Sequence, residues 1–113
     1  MKGLIKIYGG RRSVCMTDDV LAPNPFTFYL PDHELSIQEL IDIPVYYLPE
    51  WTCYLGEYSM DNIDVEDGIL VERKINNHAI VSVRRDEHGR LVVVDYVDDW
   101  WELIKEHPYL YFE

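Results

Sequence analysis

The sequence predicts an α+β fold built on a mainly antiparallel sheet. Three observations carry that expectation. Short segments in which apolar and polar residues alternate recur through the chain, the period of half-buried strands. Two segments at helical spacing, near 36–42 and 99–107, interrupt them without a strand–helix–strand rhythm. Turn residues such as Gly9-Gly10, Asn76-Asn77 and Gly89 separate neighbouring strand segments by only a few residues, which suits hairpins. The sheet is expected as an N-terminal hairpin plus a C-terminal three-stranded meander. At 113 residues the chain is one domain's worth, taken as 1–113.

The elements follow in order. Leu4–Tyr8 alternates, with Ile5 and Ile7 on one side and Lys6 on the other. A turn at Gly9-Gly10 and a second arm over Arg12–Thr17 complete the expected hairpin, because a glycine pair supplies positive φ cheaply. Phe26, Phe28 and Leu30 mark a short strand bounded by Pro25 and Pro31, which places it at an edge. Ser36 and Glu39 fit a capping box and Leu35 and Leu40 a hydrophobic staple, so a short helix is expected until Pro44 disfavours it. Strand-like pieces follow around Val45–Leu48 and Trp51–Leu55, then an acidic loop over Met60–Asp67. Ile69–Ile75, Ala79–Arg85 and Leu91–Val97 read as the meander, turning at Asn76-Asn77 and at Asp86–Gly89. Asp98 or Asp99 caps the second helix, whose stripe is Trp100, Leu103, Ile104 and His107, and Pro108 stops it. Tyr109–Phe112 adds a final strand.

Charge is the strongest functional signal. The chain carries 21 acidic and 10 basic side chains, a net charge of -11. No base lies between Ser13 and Glu72, whereas thirteen acids do. Such a bias projects a negative field, which repels nucleic acid and attracts basic proteins or cationic ligands. The same stretch is dense in aromatics. Tyr46, Tyr47, Trp51, Tyr54 and Tyr58 are the types enriched at interface hot spots, and Asp61, Asp64, Glu66 and Asp67 supply the adjoining charge. Trp101 lies on the flank of its helix, where Lys105 one turn later is positioned to cover the ring. The expectation is a small acidic protein-interaction module that docks on a basic protein partner. Its sharpest form is an inhibitor or immunity-type protein masking a basic surface of a nucleic-acid-handling partner.

Two alternatives belong to other classes. Aromatic rings beside carboxylates also suit a small cationic ligand such as a polyamine. Asp32-His33-Glu34 gathers acid–base side chains for an enzyme, although the position four residues after His33 is Ile37, not the second histidine of a helical zinc motif. Asp61 and Glu72 have the separation of the first and last calcium-loop ligands, but Ile63, Val65 and Glu66 occupy positions that need oxygen ligands and glycine. No phosphate-binding loop, dinucleotide fingerprint or nucleophile elbow occurs, so no cofactor, metal or catalytic residue is assigned. Gly9-Gly10-Arg11-Arg12 suits an anion or a charged hairpin turn equally. Cys15 and Cys53 stand alone and read as small buried hydrophobes. No apolar run spans a membrane and no signal-peptide core is visible, so a cytoplasmic monomer or homodimer is expected.

Overall fold

The structure is a computed structural model that describes residues 3–12, 26–33, 50–60 and 66–113. Among the described residues seven strands form one sheet: β1 (Leu4–Arg11), β2 (Phe26–Pro31), β3 (Trp51–Ser59), β4 (Leu70–Lys74), β5 (Val81–Arg85), β6 (Leu91–Tyr96) and β7 (Tyr109–Phe112). A helix, α1 (Trp100–Glu106), joins β6 to β7. The strand order is β2-β1-β7-β3-β5-β6, with β4 also on β3.

The fold class differs from the α+β, antiparallel expectation. Strands account for 56% of the described residues, which contain one short α-helix, and the sheet is mixed and curled. β1 and β7 run parallel, with Tyr8 beside Tyr109 and Arg11 beside Phe112. The helix expected over 36–42, the strand piece at Val45–Leu48 and the hairpin arm beyond Arg12 lie outside the described residues.

The expected N-terminal hairpin is corrected by β1 itself. That strand continues through Gly9 and Gly10 to Arg11 without turning, and its antiparallel partner is β2. Gly10 serves close approach instead. A Cβ there would lie 2.4 Å from the Val71 carbonyl oxygen, and one at Gly56 would lie 2.5 Å from Val71 Cγ1. The curl thus brings β4 over β1 and β7, and Val71 is buried where both glycines lack a side chain. Gly10→Ala should lower unfolding stability by about 1–3 kcal/mol, since a backbone carbonyl must shift. Gly3→Ala, with nothing within 4 Å, is the control. Urea titration of both variants tests this; equal midpoints would refute the close approach.

The C-terminal meander is also corrected. β4 and β5 do not pair with each other; both pair antiparallel with β3. Ile75 N donates to Leu55 O and Ile80 N donates to Cys53 O, each at 2.9 Å. Carbonyls two residues apart point to the same strand edge, so β4 and β5 lie end to end along one edge of β3. Residues 76–79 are looped out between them. The Asn76 side chain accepts from His78 N at 2.7 Å, a local turn that does not reverse the chain. The Asp86–Gly89 turn does reverse it, joining β5 to β6. There Asp86 Oδ1 accepts from the amides of His88 and Arg90, and Gly89 has φ 77.

One face of the sheet, with α1 against it, forms the core. Ile7, Phe28, Trp51, Val83, Leu110 and Phe112 come from five strands, and Trp100, Trp101 and Ile104 from the helix. Cys53, a buried free thiol, belongs to the same core, and desolvation there pushes its pKa up. Among the described residues no helix is long and apolar enough to cross a membrane.

Candidate functional site

Strand alternation puts a different set of side chains on the opposite face. In β1, Ile5 and Ile7 face the core, so Lys6 and Tyr8 face away. In β7, Leu110 and Phe112 face the core, so Tyr109 and Tyr111 face away. In β2, Phe28 and Leu30 take the core side and Tyr29 the other. Register then assembles them: Lys6 lies beside Tyr29, Tyr8 beside Tyr109, and Tyr54 beside Tyr111.

The curl of β3 completes the group by laying Tyr58 on Tyr109. Their rings stack at 3.8 Å between centroids and 18° between planes. Tyr109 stacks in turn with Tyr8 at 5.5 Å and 19°. His107, just past α1, meets Tyr109 edge-on at 5.2 Å, and its Nε2 lies 2.8 Å from Gly56 O. A carbonyl only accepts, so Nε2 is the donor in this contact. Tyr58 is 42% exposed and Tyr29 is 56% exposed, whereas Tyr8 and Tyr109 are partly covered between them.

Asp67 fastens the 3-10 turn Glu66–Gly68 to this face. It sits in the left-handed region at φ 61, which aspartate tolerates better than most residues, and is followed by Gly68 at φ 70. Its carboxylate pairs with Lys6 Nζ and accepts from Tyr8 OH at 3.2 Å. Lys6 Nζ is also 5.4 Å from the Tyr8 ring centroid and 6.0 Å from that of Tyr29. The hydrogen bond from Lys6 holds the Asp67 pKa below its ordinary value. Burial first, and then the Asp67 contact, raises that of Tyr8. Burial and the neighbouring Tyr58 raise that of Tyr109. Tyr8 and Tyr109 therefore keep their protons at neutral pH and present π faces and hydroxyls, not phenolate bases.

A pH dependence follows. Because the folded pKa of Asp67 is depressed, its contribution to stability is present above the ordinary carboxylate range. It is lost as pH falls through the lowered pKa. The Tm difference between wild type and Asp67→Asn should be measurable at neutral pH and shrink toward zero as pH falls through and below the lowered pKa. Asparagine also accepts left-handed φ, so the substitution isolates the charge. A difference that stays constant with pH in thermal scans would rule out the charge contribution.

A second group on this face is satisfied internally. Lys74 Nζ bonds Glu113 Oε1 at 2.5 Å and lies 4.5 Å from the Tyr54 ring centroid. The Glu113 hydrogen bond raises the Lys74 pKa, and burial raises that of Tyr111.

The residues singled out in sequence separate accordingly. Tyr58 and Asp67 meet the same tyrosine row, through Tyr109 and Tyr8 respectively, and Tyr54 lies under Lys74. Trp51 is buried edge-on to Phe112 at 5.2 Å, and Trp101 is buried beside Trp100 at 5.9 Å. Lys105 pairs with Asp32 at 3.5 Å. Glu66 begins a 3-10 turn through Gly68. Tyr46, Tyr47, Asp61 and Asp64 lie outside the described residues. Asp32 and His33 are exposed, and Glu34 lies outside the described residues. Among the described residues no three His, Cys, Asp or Glu side chains gather to hold a metal. Arg11 is buried, with Nη1 donating to the Arg12 carbonyl at 3.2 Å, so it is not part of a surface anion loop.

Lys6, Tyr8, Tyr29, His107 and Tyr109 belong to the site but were not singled out in sequence. For Lys6, Tyr8, Tyr29 and Tyr109 the signal was present as the outward half of each alternating strand; His107 follows the helix and carried no such signal. Which strands are neighbours is a matter of topology. Comparison of the chain with protein-family models, curated proteins and solved structures found no match.

Proposed function

We propose that the protein is a small acidic interaction module that docks on a basic surface of another protein. The observation that supports it is the exposure of Tyr29 and Tyr58 at the two sides of one tyrosine row, in a chain of net charge -11. Exposed tyrosines offer large contact area with a polar handle, and opposite charge speeds encounter with a basic partner. On the other side of the sheet, Asp98 and Asp99 before α1 and Glu102 and Glu106 within it are also exposed. A basic surface that such a module covers is the kind used to bind nucleic acid, so masking a nucleic-acid-handling protein is the specific form of the reading.

The small-cation alternative has less support at this row. Lys6 already occupies the place beside two rings and a carboxylate that a free ammonium ligand would take.

The test is capture from lysate of the source organism on immobilised protein, eluted by a salt gradient. Proteins of basic pI should elute at moderate salt. They should be depleted on the Tyr29→Ala, Tyr58→Ala double variant and on the Asp61→Asn, Asp64→Asn, Glu66→Gln, Asp67→Asn variant. A bound set with no basic bias, or one insensitive to both variants, would refute the reading.

A further inference from the structure

We propose that β6 is the seam of a symmetric dimer, in which it pairs antiparallel with β6 of a second copy of this chain.

β6 ends the sheet. β5 holds one of its edges, and among the described residues no strand holds the other. Hydrogen bonding fixes which residues face outward. Arg90 O accepts from Asp86 N at 2.8 Å, and Val97 N donates to Ile80 O at 3.1 Å, so Arg90 and Val97 are turned inward, toward the β5 side. Alternation then turns the amides and carbonyls of Leu91, Val93 and Tyr96 to the outer edge. An edge strand is ordinarily guarded by proline, lysine or a bulge. β2, at the other end of the sheet, closes on Pro31. β6 reads LVVVDY and has neither residue. Its register shift falls at Val94, between the Val83–Val93 and Ser82–Asp95 pairs, and leaves Leu91–Val93 as a regular apolar run. Val94 is 56% exposed and Tyr96 54%.

Charge selects the occupant. The chain carries -11, yet its hairpin over 81–96 balances Arg84, Arg85 and Arg90 against Asp86, Glu87 and Asp95 and is neutral. Self-association there escapes the repulsion that the rest of the chain imposes. β6 is flanked by Arg90 at one end and by Asp95, Asp98 and Asp99 at the other, all exposed. An antiparallel copy centred on Val93 sets Arg90 of each chain against the acidic end of the other, and the twofold axis makes that contact twice. A parallel copy would set like ends together, and a uniformly basic strand would meet Arg90. Pairing in this way uses up the same edge on both copies, so association through it stops at two. The seam is the third strand from β7 and does not depend on the docking reading; the dimer carries the tyrosine row twice.

Sedimentation velocity of the full chain, from micromolar to millimolar concentration, should pass from a 13.4 kDa species to one of twice that mass. Amide hydrogen exchange locates the seam without any variant: Leu91 and Val93 should exchange more slowly as the dimer forms. Arg90→Glu should weaken dimerisation about tenfold, because an attraction becomes a repulsion at two symmetric contacts. Adding Asp95→Arg should restore it to within about threefold of wild type, since the two positions are coupled. A chain that stays at 13.4 kDa throughout would overturn the proposal. So would a dimer that leaves the Leu91 and Val93 amides unprotected, or a double variant as weak as Arg90→Glu alone.

Discussion

Phe112→Ala should lower the free energy of unfolding by about 3–5 kcal/mol, the range for removing a buried aromatic ring. The ring is 0% exposed, edge-on to Trp51 at 5.2 Å and tilted toward Phe28 at 6.5 Å. Its strand has only four residues but is bonded on both sides, parallel to β1 and antiparallel to β3. The loss is thus felt where two halves of the sheet meet. With total stability of about 5–15 kcal/mol, such a variant approaches the threshold of folding. Urea unfolding with m-values checks this. A loss under about 1 kcal/mol, the scale of an ordinary surface change, would mean that β7 is not the central strand.

Trp101→Ala should be as damaging to stability, about 3–5 kcal/mol, and neutral for docking. The indole is 5% exposed and meets Trp100 at 65° in the layer between α1 and the sheet. Affinity for a basic partner, expressed per folded molecule, should equal that of wild type. Tyr58→Ala should behave oppositely, with weakened docking and a smaller loss of stability. If Trp101→Ala unfolds no earlier than wild type and binds less, Trp101 is a surface residue and the helix packs differently.

The pair shows where residue type stops being informative. Tyr, Trp and acidic residues crowd the stretch from Tyr46 to Asp67, and as types all of them suit an interface. In the structure, alternation along β3 sends Trp51 to the core and Tyr54 to the opposite face, and the curl of the sheet lays Tyr58 on Tyr109. Composition assigns a whole segment to one role, whereas a strand distributes it between two faces.

Glycine and asparagine carried a similar ambiguity. Gly9-Gly10 has the chemistry of a tight turn, but a residue without Cβ also permits close approach, and Val71 uses Gly10 that way. Asn76-Asn77 makes a local turn as its chemistry allows, yet the chain leaves and rejoins the same edge of β3. Local signals report that the backbone bends or narrows. They do not report whether it reverses.

Strand segments at Leu4–Tyr8, Phe26–Leu30, Ile69–Ile75, Ala79–Arg85, Leu91–Val97 and Tyr109–Phe112, the helix after Asp99, and the acidic balance are all legible in the order of the residues. These depend on periodicity, capping and net charge, which act over a few residues or over the whole chain regardless of arrangement. Tertiary structure alone decided the parallel pairing of β1 with β7, the end-to-end placement of β4 and β5, and the tyrosine row. Each of these joins residues far apart in the chain. Lys6 and Asp67 are 61 positions apart and Tyr8 and Asp67 are 59 apart. Many pairings bury comparable apolar area, and local propensity does not rank them. What selects among them is the fit of whole strands, including the space that Gly10 and Gly56 leave for Val71.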